Sequence, residues 1–458
     1  MTTQASRREF LRQASALSIA GTATPFALNL ASIAAASAQV TGGYKALVCV
    51  FLYGANDGHN TVVPFDAANY AKYSVGRSSL AWTQPELTQL SPITPLPGGL
   101  QLSLPTAPLA PLATLFDQQK CAIVANVGPL IMPTSRTNFQ TPGFPLPPKL
   151  FSHNDQQSVW QASAPEGAKY GWGGRVGDLL ASQNGNSVFT CCNLSGNAVF
   201  LSGQQVQPFQ LDVNQGAVGF SGLAGGTPTL YGSASGSNAL RTVLTRTRTH
   251  LFENETVKVN TRSIDANTAL STAFIGAPTF TPPPNNSLAS QLAMVAKVIS
   301  VRSALGAARQ VFLVSMGGFD THSGQVTTQT GLLSQLASAI SFFQTTMDGI
   351  GAANDVTLFT ASDFGRTLIE NGDGSDHGWG SHHFVVGGAV KGKEIYGAFP
   401  DLTPLVPTDA GNGRLIPTTS VEQYAATLAK WMGVTPANLP VILPNLVNFS
   451  PQDLGFMT

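Results

Sequence analysis

The residues with the clearest chemical potential are three histidines and one aspartate within the segment SDHGWGSHH, residues 375–383. The whole chain of 458 residues contains seven histidines, and only 10% of its residues are charged. Imidazole nitrogens and carboxylate oxygens together, without cysteine, suit Zn²⁺, Mn²⁺ or iron better than Ca²⁺, which prefers oxygen ligands alone. The segment therefore predicts a metal site, with a polar hairpin that binds nothing as the alternative interpretation.

Three aspartates elsewhere in the chain each end a short apolar run with the composition of a buried strand. They are Asp57 after VFLYGAN, Asp320 after VFLVSMGGF and Asp363 after VTLFTAS. Parallel sheets bind ligands beyond the carboxyl ends of their strands, so the three carboxylates are expected to meet at one edge. Because like charges repel strongly in a low dielectric, we expect one or two divalent ions to hold them together.

The other histidines follow the same strand ends. His59 and His322 each come two residues after an aspartate, His153 lies in LFSHNDQQSVW, and His250 stands apart in a polar stretch. The motif FDTH, which contains His322, is also compatible with an ordinary turn whose aspartate caps a helix. We interpret His59 and His383 as supporting or surface groups. The predicted metal ligands are Asp57, His153, Asp320, His322, Asp363, His377 and His382.

Alternating strand-like and helical segments indicate how these residues are positioned. Apolar strand-like runs occupy 45–57, 120–128, 309–320 and 355–365, and helical periodicity occupies 287–305 and 330–350. This alternation is typical of a mostly parallel central sheet with helices on both faces, which is a three-layer α/β/α fold.

Two further regions differ from this alternating core. Residues from about 193 to 286 are rich in Gly, Ser and Thr and end in TFTPPPNNS, so we interpret them as an insertion or cap on the α/β core. Near the C-terminus, TTSVEQYAATLAKWMGV has helical periodicity, with Ser420 as the N-cap candidate and Gly433 as the stop. This helix is expected to pack back on the core.

The first residues have the pattern of a targeting segment. Arg7 and Arg8 precede a mildly apolar stretch, and the small residues ASA come directly before Gln39. The pattern predicts a twin-arginine signal peptide over residues 1–38, with an amphipathic N-terminal helix as the alternative. The predicted domain then covers residues 39–458, the twin-arginine translocon is its partner during export, and its location is periplasmic or secreted.

Charge and composition exclude several classes of function. Lys and Arg together number 24, as do Asp and Glu, so no overall field attracts nucleic acid. No stretch after the signal approaches the roughly 18 consecutive apolar residues that span a bilayer, so no stable membrane span is expected. Cys49 and Cys121 lie in apolar runs and are expected to be buried, whereas a disulfide involving Cys191 or Cys192 is left open.

Several motifs together carry a family resemblance over most of the chain after the signal. They are LVCVFLYGANDGHNTVVP, FSHNDQQSVWQ, GWGGRVGDLL, VFLVSMGGFDTHSGQ, FTASDFGRTLIENGDGSDHGWGSHHFVVGGAVKGKEIYGAFP and EQYAATLAKWMGV. In this order they resemble the domain-of-unknown-function family 1501. Its members are exported proteins grouped with the alkaline phosphatase-like superfamily, which also holds sulfatases and cofactor-independent phosphoglycerate mutases. The resemblance implies an alkaline phosphatase-like fold and a site for two metal ions.

Matched residue by residue, the resemblance divides candidate ligands between two sites. Asp320, His322 and His377 belong to one site, and Asp57 and Asp363 belong to the other. Phe364 occupies the position where the superfamily has a histidine after the second aspartate. Either His153 supplies the missing nitrogen, or the second site is empty.

A hydroxyl nucleophile is also expected in such a site. Ser152 precedes a predicted helix start, where backbone N–H groups stabilise an anion, and on a metal it would attack a phosphoryl or sulfuryl centre. The alternative is that Ser152 merely caps the helix, and Thr61 is the second candidate nucleophile. Arg366 is predicted to bind substrate oxyanions or, alternatively, to pair with a local carboxylate.

These expectations give one predicted function and two alternatives. The first is an exported, metal-dependent hydrolase of phosphate or sulfate esters, which acts on a small-molecule or polymer substrate by in-line displacement. The second is a non-catalytic secreted or cell-envelope binding protein that retains the fold, with or without one metal ion. The third is a metal-dependent esterase or lyase with a water nucleophile. The lack of a G-x-S-x-G elbow disfavours a serine esterase.

Overall fold

Strands and helices alternate through most of the chain, in a computed structural model that describes residues 43–196, 198–223, 229–403 and 406–458. The predicted signal peptide lies outside these residues. The strands are β1 (Lys45–Leu52), β2 (Val63–Pro64), β3 (Leu87–Gln89), β4 (Leu102–Pro105), β5 (Cys121–Gly128), β6 (Cys191–Asn193), β7 (Phe209–Asp212), β8 (Gly216–Ala217), β9 (Arg309–Met316), β10 (Val356–Ser362), β11 (Arg366–Glu370), β12 (Ser375–His377), β13 (Ser381–Val386), β14 (Ile395–Tyr396) and β15 (Thr419–Ser420). The helices are α1 (Ala67–Arg77), α2 (Thr106–Asp117), α3 (Arg136–Gln140), α4 (His153–Ala162), α5 (Trp172–Leu180), α6 (Ala234–Thr245), α7 (Leu251–Ala273), α8 (Ser287–Ser300), α9 (Gln325–Gly349), α10 (Val421–Met432) and α11 (Leu439–Ile442). Among the described residues, no helix has the length and apolar character needed to cross a membrane.

The largest sheet runs in the order β14–β5–β13–β10–β1–β9–β6–β7–β8, with β15 beside β5. Its centre is parallel, since β10, β1, β9 and β6 run in the same direction, and β14 and β15 are parallel to β5. Strand β13 is antiparallel to both its neighbours, and β7 and β8 form an antiparallel edge pair. The predicted fold class, a mostly parallel sheet with flanking helices, is confirmed.

Each face of this sheet has its own apolar core. Along β1, Val48 and Val50 face a core that includes residues of α2, α8 and α9, whereas Leu47 and Phe51 face a core that includes residues of α5 and α10. The alternation follows from the two-residue period of a strand. Because both faces are covered, β1 is buried along nearly its whole length, which explains the continuous apolar run in its sequence.

The four cysteines are buried and free. Cys49 and Cys121 lie in strands, as their apolar surroundings predict. Cys191 and Cys192 are neighbours on β6 and face the two opposite cores, so they form no disulfide in this structure. Burial raises the pKa of all four thiols, which makes them small apolar side chains rather than reactive groups.

The region from about 193 to 286 extends one edge of the sheet and then forms two helices. Strands β7 and β8 continue the sheet beyond β6, and α6 packs against α7. Several large apolar side chains of this region are exposed, among them Leu251, Phe252 and Ile275. The interpretation of this region as an insertion or cap stays a prediction.

The carboxyl ends of β1, β9 and β10 lie side by side. Leu52 at the end of β1 pairs with Met316 of β9 and with Ser362 of β10. The chain therefore leaves all three strands at one edge of the sheet. The loops that follow carry the three aspartates that the sequence singles out.

Helix α10 begins and ends where the sequence predicts. Ser420 and Gln423 form a capping box at its start, and Gly433 ends it in the left-handed conformation with φ 106°. Tyr424 and Leu428 belong to the apolar core on one face of the sheet. The helix thus packs back on the core as expected.

Glu422 in the first turn of α10 is expected to make stability depend on pH. The residue is 3% exposed, and burial raises the pKa of its carboxyl group to about 7, although hydrogen bonds from Ser163 and Asn445 oppose the shift. Because the folded pKa lies above the ordinary value of 4.5, the protonated group favours the folded state. This contribution is fully present below the ordinary pKa and is lost as the pH rises through about 7.

Glu422→Gln is therefore expected to leave stability nearly unchanged at about pH 4 and to raise it by about 1–3 kcal/mol at about pH 8. Urea denaturation of wild type and variant at the two pH values measures the difference. The exposed Glu253 offers a matched control, since Glu253→Gln is expected to show no such pH dependence. An equal gain for Glu422→Gln at both pH values would contradict the burial explanation.

Candidate metal centre

Three imidazoles and one carboxylate converge at the sheet edge where β9 and β10 end. The Nε2 atom of His377 lies 3.2 Å from Nε2 of His153 and 3.0 Å from Nε2 of His322. Oδ1 of Asp320 lies 3.1 Å from Nε2 of His322 and 3.3 Å from Nε2 of His377. Its Oδ2 lies 3.5 Å from Nε2 of His153. We refer to His153, Asp320, His322 and His377 as the ligand cluster.

Hydrogen bonds fix which nitrogen carries the proton in two of the rings. Nδ1 of His377 lies 2.7 Å from the carbonyl oxygen of Phe151, and Nδ1 of His153 lies 2.6 Å from Oδ2 of Asp363. Both partners are acceptors, so Nδ1 donates and the neutral ring presents the lone pair of Nε2. Two lone pairs that face each other at 3.2 Å repel, and a shared cation removes that repulsion.

The spacing of the ligand atoms fits a small divalent ion. Bonds of about 2.0–2.1 Å arranged tetrahedrally place ligand atoms about 3.3–3.4 Å apart. Five pairs of ligand atoms in the cluster lie 3.0 Å to 3.5 Å apart. Among the described residues, His153, Asp320 and His377 form a group whose ligand atoms all lie within 4.8 Å of one another. His322 is not part of this group, although its Nε2 contacts His377 and Asp320, and its side chain is 45% exposed.

Burial favours the metal-binding form of His377, and the neighbouring charge of Arg366 favours that of Asp320. Burial lowers the pKa of His377, so this ring is neutral at about pH 7. Burial also acts to raise the pKa of Asp320, but the hydrogen bond and charge of Arg366 outweigh it, and the pKa lies below its ordinary value. The hydrogen bond to Asp363 raises the pKa of His153 against the effect of burial. A metal ion at His153 therefore competes with a proton.

Asp363 is buried next to the ligand cluster and contacts the Nδ1 side of the His153 ring. Its Oδ2 accepts hydrogen bonds from His153, from Nε2 of Gln157 at 2.9 Å and from the backbone N–H of Gly54 at 3.2 Å. Its Oδ1 is buried and has no hydrogen-bond partner among the described residues. Through Oδ2 the carboxylate orients His153 and fixes the proton on Nδ1, and the predicted ligand role of Asp363 stays a prediction.

Phe364 packs beside two of the ligands. Its ring centroid lies 4.8 Å from that of His153 and 4.9 Å from that of His377. Phe364 itself offers no ligand nitrogen. The imidazole that contacts Asp363 here belongs to His153, the first residue of α4. His153 thus lies with the ligands of the first site, and the choice between the two alternatives for a second site stays a prediction.

Asp57 does not join the ligand cluster. Its buried carboxylate forms an ion pair with Arg77, the last residue of α1, whose side chain is also fully buried. The carboxylate also accepts hydrogen bonds from the side-chain amide of Gln325 and from the backbone N–H of His59, the latter at 3.0 Å. The predicted ligand role of Asp57 is therefore corrected, because a guanidinium neutralises its charge and both oxygens are engaged.

A chain of polar side chains connects Asp57 with Asp320. The amide nitrogen of Gln325 donates to Asp57, and Oε1 of Gln325 accepts from the hydroxyl of Ser375 at 2.6 Å. Nε of Arg366 lies 3.3 Å from the same hydroxyl oxygen, and Nη1 of Arg366 lies 2.6 Å from Oδ1 of Asp320. Arg366 is fully buried and also donates to the carbonyl of Ser375, so it pairs with a local carboxylate and has no free fork for substrate.

The two candidate hydroxyl groups have different surroundings. Ser152 is half-buried before α4, and its hydroxyl donates to Oδ2 of Asp155 at 3.1 Å without capping the helix backbone. Thr61 is fully buried, and its hydroxyl donates to the carbonyl of Asp57 at 2.7 Å and accepts from Asn56. Ser152 therefore stays the candidate nucleophile, whereas Thr61 is not accessible to a substrate.

The remaining predicted histidines are buried outside the ligand cluster. Nδ1 of His382 accepts from the backbone N–H of Asn126 at 3.1 Å, and its ring stacks on Phe399 with centroids 4.8 Å apart. The predicted ligand role of His382 is therefore corrected. His59 and His383, which the sequence suggests as supporting or surface groups, lie in the interior, where burial lowers their pKa to about 4 and about 3.

Comparison with protein families gives one assignment. The family described as "Protein of unknown function (DUF1501)" matches residues 44–439, which is most of the chain. The chain belongs to this family. The match in this DUF1501 protein includes all four residues of the ligand cluster. No curated protein matches the chain significantly.

Solved structures similar to this DUF1501 protein include hydrolases. PsFucS1 sulfatase from Pseudoalteromonas sp. is 10% identical at a TM-score of 0.35, and the alignment covers 90% of this chain and 72% of that one. The phosphonate monoester hydrolase of Agrobacterium radiobacter is 11% identical at a TM-score of 0.31, with 86% and 74% covered. A variant of alkaline phosphatase PafA is 11% identical at a TM-score of 0.27, with 72% and 64% covered. At these TM-scores, the likenesses assign no activity to the chain.

Proposed function

We propose that this protein is an exported, metal-dependent hydrolase of phosphate or sulfate esters. The observation that carries the proposal is the convergence of three Nε2 atoms and one carboxylate in the ligand cluster. This donor set suits Zn²⁺, Mn²⁺ or iron. The ion pair of Asp57 with Arg77 favours one ion rather than two. Export is supported by the twin-arginine pattern of residues 1–38.

The residues that would hold the ion are those of the ligand cluster. A bound divalent ion supplies a Lewis acid for the non-bridging oxygens of the ester and lowers the pKa of a coordinated hydroxyl group. His153 and His377 present unprotonated Nε2 atoms because Asp363 and the carbonyl of Phe151 hold their protons on Nδ1. Phe364 covers one side of both rings and excludes water there.

Ser152 is the proposed nucleophile. It directly precedes His153 at the start of α4, where the first N–H groups and the helix dipole stabilise negative charge. Its hydroxyl donates to Asp155, so this carboxylate accepts the proton as the oxygen attacks phosphorus or sulfur. The bond from phosphorus or sulfur to the ester oxygen breaks, and the leaving group takes a proton from solvent. Water then attacks the phosphorus or sulfur of the Ser152 ester, Asp155 returns its proton to the departing serine oxygen, and inorganic phosphate or sulfate is released.

Metal binding without catalysis is a second candidate function, favoured by a specific observation. The hydroxyl of Ser152 and the guanidinium of Arg366, the two groups predicted to act on substrate, both have protein partners. A secreted or cell-envelope protein that holds one structural ion would need neither group free. The two functions differ in turnover and agree in metal content.

Metal content and ester turnover test the proposal. Protein exported in its native host is expected to contain about one divalent ion per chain by plasma mass spectrometry and to hydrolyse a member of a panel of phosphate and sulfate esters. His377→Ala is expected to lose both properties, because Nε2 of His377 contacts the three other ligands. His250→Ala is the matched control, since His250 is exposed before α7, and it is expected to keep both.

The outcomes distinguish the two functions. Loss of metal and turnover in His377→Ala supports the hydrolase, and loss of turnover with metal retained in Ser152→Ala supports the nucleophile assignment. Metal without turnover across the panel favours the binding protein. Wild-type protein that contains no metal overturns both.

A further inference from the structure

Two contacts fix Arg414 beside the ligand cluster. Its Nε donates to the carbonyl oxygen of His377 at 2.9 Å, and its guanidinium carbon lies 5.1 Å from the ring centroid of Phe151. The carbonyl of Phe151 in turn accepts the hydrogen bond from Nδ1 of His377 at 2.7 Å. The guanidinium thus contacts both His377, a proposed metal ligand, and Phe151, whose carbonyl orients the ring of His377.

The backbone around Arg414 is also held in place. Arg414 lies in a turn that is closed by a β-bridge between Asp409 and Leu415. The preceding residue, Gly413, has φ 70° and accepts a hydrogen bond from the backbone N–H of Leu368 at 2.9 Å, which anchors the turn to β11. A side chain on an anchored turn is pre-organised, so it loses little conformational entropy when it binds a ligand.

The guanidinium of Arg414 has donors that the fold does not use. A guanidinium carries five N–H groups, and the one on Nε is bonded to the protein here. Its two terminal nitrogens have no hydrogen-bond partner within the described ranges of the chain, and no carboxylate there pairs with it. Arg77 and Arg366 differ, since carboxylates engage both. Two adjacent free amino groups form the fork that binds two oxygens of a phosphate or sulfate.

We propose that Arg414 is the oxyanion-binding residue of this site and donates two hydrogen bonds to non-bridging oxygens of a phosphate or sulfate monoester. The inference rests on the proposed function and names its substrate class. Arg414 takes the role that the sequence suggests for Arg366, whose guanidinium is occupied by Asp320 and Ser375. A neutral triester has no paired anionic oxygens for the fork and is a poor ligand.

Lys149 adds a second positive charge on the segment that carries Phe151. Its side chain is 70% exposed, and its Nζ lies 3.5 Å from Oδ2 of Asp155. The same carboxylate oxygen accepts the hydrogen bond from the hydroxyl of Ser152. The negative charge of Asp155 partly balances the positive charge of Lys149. Of these two cations, Arg414 is therefore the one with unpaired donors for the substrate, and Lys149 assists by attracting anions at longer range.

Titration with inorganic phosphate and, separately, with inorganic sulfate tests the assignment. Calorimetry on the metal-loaded full chain is expected to show that Arg414→Gln raises the dissociation constants roughly 10–100-fold, the range for removing a charged hydrogen-bond donor. Arg414→Lys keeps the charge without the fork and is expected to lie between wild type and Arg414→Gln. Arg248→Gln, at an exposed position before α7, is the matched control and is expected to bind like wild type.

Metal content measured on the same samples keeps the outcomes distinct. If the Arg414→Gln variant binds both oxyanions as tightly as wild type, the inference is overturned. It is also overturned if the wild-type protein contains metal but binds neither oxyanion. In both cases the metal site stands. Wild-type protein that contains no metal overturns the proposed function. The role of Arg414 is then decided by comparing the oxyanion affinity of this metal-free wild type with that of Arg414→Gln. If Arg414→Gln fails to fold, Arg414→Lys supplies the same comparison.

Discussion

Asp57→Asn is expected to lower the free energy of unfolding by about 3–5 kcal/mol and to leave metal binding intact. The substitution removes the charge that pairs with Arg77, and both side chains are fully buried. Breaking one partner of a buried ion pair leaves the other charge uncompensated in a low dielectric. Metal binding survives because Asp57 is separated from the ligand cluster by Gln325, Ser375 and Arg366.

Asp320→Asn is the matched comparison and is expected to show the opposite pattern. The side chain of Asp320 is 45% exposed, and asparagine keeps an acceptor for Arg366, so the loss of stability is smaller. The ligand charge is lost, however, and with it the metal ion. Urea denaturation and metal analysis of both variants measure the two effects. A folded Asp57→Asn protein that binds no metal would make Asp57 a ligand after all.

Asp363→Asn is expected to weaken metal affinity about 10–100-fold while the protein stays folded. The carboxylate of Asp363 accepts the proton on Nδ1 of His153 and thereby leaves Nε2 free for the ion. An asparagine either accepts this proton less strongly or turns its amide donor towards Nδ1. The second arrangement moves the proton of His153 to Nε2, the nitrogen that faces the ligand cluster.

Competition with a chromophoric chelator measures this affinity, and Asp376→Asn serves as the control. Asp376 contacts Nδ1 of His322 at 3.3 Å, and its side chain is 51% exposed, so its hydrogen bond is weaker and water can replace it. We expect a smaller loss of affinity there than in Asp363→Asn. Equal losses in the two variants, or none in Asp363→Asn, would refute the role given to the buried carboxylate.

Much of the framework that carries the site could be predicted from local sequence patterns. The apolar runs that become β1, β9 and β10 are continuous because the strands are covered on both faces. Since parallel strands end at one sheet edge, Asp320 and the nearby His322 could be assigned to that edge. The caps of α10 at Ser420 and Gly433 were equally visible, because capping depends on residues a few positions apart.

The partners of the buried charges could not be predicted in this way. Asp57, Asp320 and Asp363 look alike in sequence, since each follows an apolar run. In the fold, Arg77 from α1 neutralises Asp57, whereas His153, 210 residues away, contacts Asp363. Arg77 belongs to no motif that points to a site, and although Gln157 and Gln325 lie within quoted motifs, nothing in their spacing marks them as partners of the buried aspartates.

The sequence by itself determined the α/β elements, the loops at the strand ends and the supply of imidazoles and carboxylates, because these follow from short-range periodicity and composition. Tertiary structure decided which of these groups face one another. In the fold, Asp320 and His377 lie in one cluster, Asp57 forms an ion pair with Arg77, and His382 is buried against Phe399. The physical reason is that a buried charge or lone pair takes whichever partner the packing of distant elements brings within about 3 Å, and sequence spacing does not encode that proximity.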